Sequence, residues 1–176
     1  MENIVLEAMK KRRSIRSFEP RIPDQSMVDQ IMEAGLYAAS GRGTQGTVIV
    51  QIDNQKIQKE IREYNAEIGG WPVDFDPFYG APVILIVLAN KNISTHVYDG
   101  SLVLGNMMLA ADALGLGSCW IHRAKEEFET EKGKTWLKEW GLEGEWEGIG
   151  HLAIGYAKEP SPKASPRKAN RIVKVI

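Results

Sequence analysis

Apolar residues recur at helical spacing through the first part of the chain. Asn3–Arg12 reads as a short amphipathic helix with Ile4, Val5, Ala8 and Met9 on one side. Pro23 and Asp24 mark a second helix start, Asp24 suiting the positive end of the helix dipole. That helix is expected to run to about Ala39 and to bury Met27, Val28, Ile31, Ala34 and Ala38. Asn54 is placed to cap a third, striped by Ile57, Ile61, Tyr64 and Ile68. Between them Thr47–Asp53 is β-branched and strand-like.

The second half has a different texture. Ala81–Asn90 is continuously apolar, short and branched, which predicts a central strand buried on both faces. Ser101–Leu114 is apolar nearly all round and predicts a buried central helix, ended by Gly115. Leu116–His122 follows as an extended segment and Glu126–Trp140 as a charged surface helix. Gly148–Ala157 and Arg171–Ile176 read as further strands. Two segments break all periodicity: the small-residue loop Ser40–Gly46, and Gly69–Gly80. The second is rich in aromatics that would either cover something flat or plug the edge of the core. There is no internal repeat and no sign of a second domain, so residues 1–176 are expected to be one domain. Helices and strands mix without regular βαβ alternation, which favours α+β over a doubly wound sheet.

Composition narrows the class. Of 176 residues, 43% are hydrophobic and 26% charged, the profile of a soluble globular protein. The net charge of −1 argues against bulk affinity for nucleic acid or membrane. Its distribution says more, because residues 1–21 and residues 161–176 are both net positive while the body between them is acidic. One cysteine, Cys119, excludes an internal disulfide and is expected to be a small buried residue. The start lacks an apolar leader and the longest apolar run is too short to span a bilayer, so a cytoplasmic location is expected.

The strongest chemical signal is Lys11–Phe18 (KRRSIRSF), four cations and a hydroxyl where the first helix runs out. Such a cluster either holds an anion, often a phosphate, or forms a solvated basic face. A second basic segment, Pro162–Lys168, raises the first reading. Gly41–Gly46 matches G-x-G-x-x-G, but a helix precedes it and a strand follows, the reverse of a dinucleotide fingerprint. His96, His122 and His151 have no metal-ligand spacing, and Asn106, Met107 and Met108 read as core.

Five motifs in collinear order then resemble the nitroreductase family of flavin-dependent oxidoreductases. They are KRRSIRSF, AASGRGTQ, FYGAPVILIVLA, DGSLVLGNMMLAADALGLGSCWI and GHLAIGYAKEPSPKASPRK, and together they cover nearly the whole chain. The resemblance implies an α+β homodimer with a mostly antiparallel or mixed sheet flanked by helices, FMN at the subunit interface, and a last strand exchanged with the partner or kept on its own sheet. Carried over by motif, Arg12, Ser14 and Arg167 would hold the FMN phosphate, with Lys163 and Lys168 as weaker candidates. Arg13 would lie along the pyrimidine edge, and Arg16 near N1 and O2, where reduction places negative charge. Ile121, His122 and Arg123 match the place where the family offers backbone groups to the flavin N5/O4 edge. Ser40, Gly43 and Gln45 would approach the cofactor from the loop, possessing no Asn at Gly43 and no Pro-Trp after Gln45 as many relatives do. The implied activity is ping-pong transfer of hydride from NAD(P)H through flavin N5 to a small electron-poor acceptor such as a nitroaromatic or quinone. A flavin-storing or sensing protein is the alternative, and a phosphate-binding interaction module a third.

Overall fold

The computed structural model describes residues 3–72 and 74–175. Four strands, β1 (Thr47–Ile52), β2 (Val83–Asn90), β3 (Gly117–Ile121) and β4 (Trp146–Gly155), form one sheet in the order β1-β2-β4-β3, every pair antiparallel. This is the expected α+β architecture. Strand β2 is central and its two sets of alternate side chains enter two separate cores. Ile84, Ile86 and Leu88 face one, with Ile61, Phe128 and Trp136; Val83, Leu85 and Val87 face the other, with Ile31, Leu104 and Met107. Helix cover on both faces is why the strand shows no polar alternation.

Helices α2 (Gln25–Leu36) and α4 (His96–Ala113) cover one face. Helices α3 (Gln55–Ile68), α5 (Ala124–Glu129) and α6 (Glu131–Glu139) cover the other. Asn54 caps α3 as expected, its side chain accepting from the Lys56 and Ile57 amides. Two expectations are corrected. The single helix foreseen over Glu126–Trp140 is broken at Thr130, whose extended backbone lets its hydroxyl accept from Gly133 N and donate to Glu127 O. Gly133 packs so tightly on the Glu127 carbonyl that no side chain fits there. Helix α4, foreseen as buried all round, turns Val103, Leu104 and Met107 inward and leaves Tyr98 and Leu102 in solvent, because the sheet covers only one of its sides.

Helix α1 (Ile4–Lys11) is amphipathic as expected, with Asn3 as its cap, yet none of its residues is buried within the chain. Of the strand expected over Arg171–Ile176, Ile176 lies outside the described residues, and among the described ones Arg171–Val175 pairs with nothing in this chain's sheet and is exposed. Its Ile172, Val173 and Val175 have no apolar surface of their own subunit to alternate against.

Candidate functional site

The basic motif is held by backbone pairing with the sheet. Ser14 bridges in parallel to Ser118 of β3, with Ile15 N donating to Ser118 O at 3.0 Å. Phe18 bridges to Ala157, and Lys158 N donates to Ser17 O. Ile15 and Phe18 are thereby buried, and Gly117 is needed opposite, since a Cβ there would lie 2.8 Å from Ile15 Cγ1. With the apolar members pinned inward, Arg12, Arg13, Ser14 and Arg16 line an open cavity of about 900 Å³.

The opposite wall comes from the other end of the chain. After β4 the backbone passes Ala157 and then brings Pro162–Arg167 across the same cavity. The lining contains six cations, Lys10, Arg12, Arg13, Arg16, Lys163 and Arg167, and no acid. Some of this charge is fixed in place: Arg13 Nη1 donates to the Lys10 and Arg12 carbonyls, and Arg167 Nη2 to Ser165 O. Other donors are left over, because Arg12 Nη1 and Arg13 Nε are buried without a partner. A buried donor without an acceptor is costly, so this concave, wholly cationic surface is built for an anion.

Cys119, next to Ser118 on β3, sits behind this cluster. Burial pushes its thiol above 9.0, while Arg16, Arg12 and a hydrogen bond with Ser14 pull the other way. It is 2% exposed, as its residue type suggested.

The remaining site residues lie elsewhere. Lys168 lines a separate groove with Arg167 and Asn170–Ile172. At the far end of β3, Ile121 is buried, His122 is exposed, and Arg123 adopts the left-handed region at φ 81° with its guanidinium 4.1 Å from the Trp71 ring centre. The Gly69–Gly80 loop takes the second of its two foreseen roles: Phe78 plugs the core, fully buried, while Trp71 lies beneath Arg123 and packs tilted against Phe75 at 4.7 Å between ring centres. Ser40, Gly43 and Gln45 belong to the turn before β1. Ser40 Oγ accepts from Gln45 N, Gly43 has φ 67° and open space where a side chain would point, and Gln45 is exposed. None of these three, nor Ile121–Arg123, lines the basic cavity.

Two features had no recognisable signal in the sequence. Asp99, near the start of α4, is buried and accepts from Gly41 N at 3.0 Å and from Thr95 Oγ1 at 2.8 Å, which fastens the Ser40–Gly46 turn to the helix. Behind His122, a cluster of Asn65, Glu127 and His151 is fully buried.

The nitroreductase family model matches residues 9–156. A Methanothermobacter thermautotrophicus relative is 31% identical over 120 residues, 66% of this chain and 59% of its own. The FMN reductase [NAD(P)H] of Bacillus subtilis is 27% identical over 139 residues, 66% of this chain and 53% of its own. The chain therefore spans a little over half the length of these two curated relatives. A Bacteroides fragilis nitroreductase solved with bound FMN superposes with a TM-score of 0.89 at 27% identity, covering 99% of this chain and 100% of that one.

Proposed function

The chain belongs to the nitroreductase family, and from that premise we propose that it is an NAD(P)H-dependent FMN oxidoreductase. The observation that carries the reading is the meeting of the two basic ends in one cavity that holds six cations, no acid and two orphaned guanidinium nitrogens. An FMN phosphate, close to a dianion at neutral pH, satisfies that donor set, and about 900 Å³ lies within the range of roughly 300–1,000 Å³ usual for small-molecule sites. Arg12, Ser14 and Arg167 would hold the phosphate, with Lys163 beside them and Lys168, which follows Arg167 but lines a separate groove, as the weakest candidate. Arg13, its fork already braced on two carbonyls, would lie along the pyrimidine edge, and Arg16 would face the side of the ring that gains negative charge. When bound, the flavin supplies the two-electron chemistry, hydride being accepted from NAD(P)H and passed to a small electron-poor acceptor in ping-pong order. The protein's part is to bind, orient and tune electrostatically, and no side-chain acid or base is required.

The reading includes a homodimer. Ile4, Val5 and Met9 of α1, Tyr98 and Leu102 of α4, and Ile172, Val173 and Val175 are all more than half exposed or half exposed, an apolar surface that a second copy would cover. An apolar groove between α1, α2 and α4, lined by Ile4, Val5, Ala34, Leu109 and Ala110, is a natural seat for the partner's Arg171–Ile176 strand. A shared interface also accounts for Ser40, Gly43 and Gln45 standing apart from the cavity, since they would serve the partner's cofactor. The location proposed is the cytoplasm, with no nucleic-acid or membrane partner; among the described residues no helix is long and apolar enough to cross a membrane.

The test is direct. Purified protein should take up FMN, turn yellow, and bleach anaerobically with NADH or NADPH, the colour returning with a nitroaromatic or quinone. Protein that stays colourless with FMN would defeat the reading. Yellow protein that neither nicotinamide bleaches would mark a flavin carrier instead.

A further inference from the structure

We propose that Asn65, Glu127 and His151 form a buried positioning device that fixes the His122–Arg123 peptide and turns its N–H outward. The inference rests on the reading above, in which Ile121–Arg123 borders the flavin ring.

Asn65 of α3 is fully buried, and its Nδ2 lies 2.8 Å from the His122 carbonyl oxygen and 2.6 Å from Glu127 Oε1. A carbonyl and a carboxylate oxygen can only accept, so the atom between them must be the amide nitrogen, spending one N–H on each. The other carboxylate oxygen, Glu127 Oε2, lies 2.8 Å from His151 Nε2 on β4. The ring N–H is not aligned with that oxygen, so this is a close polar contact rather than a directed hydrogen bond. Phe78 packs edge-on against the His151 ring, at 5.3 Å between centres. The same Glu127 donates its backbone N–H to the Arg123 carbonyl at 2.9 Å.

Both carbonyls that flank the Arg123 α-carbon are therefore taken, one by Asn65 and one by Glu127. Every peptide bond described is trans, which puts C=O and N–H on opposite sides of the unit. With the His122 C=O drawn into the seam between α3 and α5, the Arg123 N–H points away from it. Among the described residues that N–H donates to no acceptor. The backbone strain falls at the same residue: Arg123, with φ 81°, is the left-handed hinge by which β3 turns into α5. A strained residue persists where its surroundings over-determine it, and here a three-residue buried polar network on three different elements does so. Asn65, Glu127 and His151 touch no part of the basic cavity and act on the site only through this peptide.

The experiment uses the whole 176-residue chain, labelled for amide NMR and loaded with FMN, together with the midpoint potential of the bound flavin. In the wild type the Arg123 amide resonance should move when FMN binds and again on reduction. Asn65→Leu keeps the bulk and removes both donors. It should still bind FMN, because the phosphate is held at the other end of β3. It should lose the Arg123 response and change the ratio of affinities for oxidised and reduced FMN about tenfold, or about 30 mV for a two-electron couple. A purely structural role would lower the melting temperature and move neither readout. If the leucine variant does not fold, Asn65→Ser carries the same test, since a hydroxyl donates once and is too short to span both acceptors. An Arg123 amide that responds to FMN equally in wild type and variant overturns the proposal alone. A wild-type Arg123 amide indifferent to bound FMN overturns the placement of Ile121–Arg123 at the ring, and the proposal with it.

Discussion

His151 Nε2 lies 2.8 Å from Glu127 Oε2 with both side chains wholly excluded from water. Neither group has water to turn to if the other is removed. His151→Phe should therefore cost about 1–3 kcal/mol, the penalty for leaving a buried polar group without a partner. The double variant His151→Phe/Glu127→Gln, whose amide keeps an oxygen for Asn65 and cannot ionise, should recover part of that loss. Urea unfolding of the two proteins decides it: a double variant no more stable than the single one would mean that shape, not polar pairing, holds the two side chains together.

Arg12 and Arg16 share a cavity but not an environment, Arg12 being half-buried with an orphaned nitrogen and Arg16 exposed. Arg12→Ala should weaken FMN binding by about 10- to 100-fold, the worth of one hydrogen bond to a charged group. Arg16→Ala should leave affinity nearer the wild-type value and lower the flavin's reduction potential. Fluorescence titration and a spectroelectrochemical titration separate the two effects; the same loss in both variants would undo the division.

Arg123 is a bulky residue in a conformation that suits glycine. Left-handed backbone costs a side-chain-bearing residue roughly 1–2 kcal/mol, while its stacking on Trp71 returns about 0.5–1 kcal/mol at a half-exposed site. Arg123→Ala keeps the strain and loses the stacking; Arg123→Gly loses both. The glycine variant should therefore be the more stable of the two by about 1 kcal/mol in thermal unfolding. Equal melting temperatures would show that the turn is not strained.

Asp99 holds the Gly41 amide and the Thr95 hydroxyl in a buried position. Asp99→Ala leaves two donors without an acceptor and should cost about 1–3 kcal/mol. Hydrogen exchange at the Gly41 amide should accelerate well beyond that of β2 amides. Unchanged protection at Gly41 would mean the turn is held by something else.

Cys119 gives a pH signature. Its folded thiol is pushed above 9.0 chiefly by burial, so the unfolded chain gives up the proton first. The stability contributed by the buried neutral thiol is complete below that pH and is lost as pH rises past 9.0 toward the folded value. Between about pH 8 and about pH 10.5, wild type should lose more stability than Cys119→Ala, the tyrosines and lysines titrating alike in both. Parallel pH profiles would contradict the burial argument.

The elements that were legible in the sequence are those whose cause is local. Asn54 capping α3 and the unbroken apolar run of β2 need no knowledge of distant residues. The meeting of Arg12 with Arg167 was also foreshadowed, because unlike-placed basic ends on an acidic chain have few explanations. What stayed hidden depends on tertiary neighbours. Glu127 sits in a run of charged residues and reads as a surface acid, yet His151 and Asn65, from another strand and another helix, make it a core residue. Thr130 breaks a helix through a close approach of Gly133 to Glu127 that no propensity scale encodes. The Arg171–Val175 segment carries the alternation of a strand but finds no sheet edge in its own chain.

Half of the residues lining the cationic cavity, with two of its six cations, come from a segment that adds nothing to either core. Residues 160–175 are exposed throughout, while every strand and helix is complete before them. A chain cut after Glu159 would keep its whole sheet and the pairing of Ser17 and Phe18 with Lys158 and Ala157, and lose Lys163 and Arg167 from the cavity wall. Folding and loading are thus uncoupled in this architecture. Replacing Lys163 and Arg167 there would leave a protein whose circular dichroism and melting curve register as intact, and whose defect is visible only in its colour.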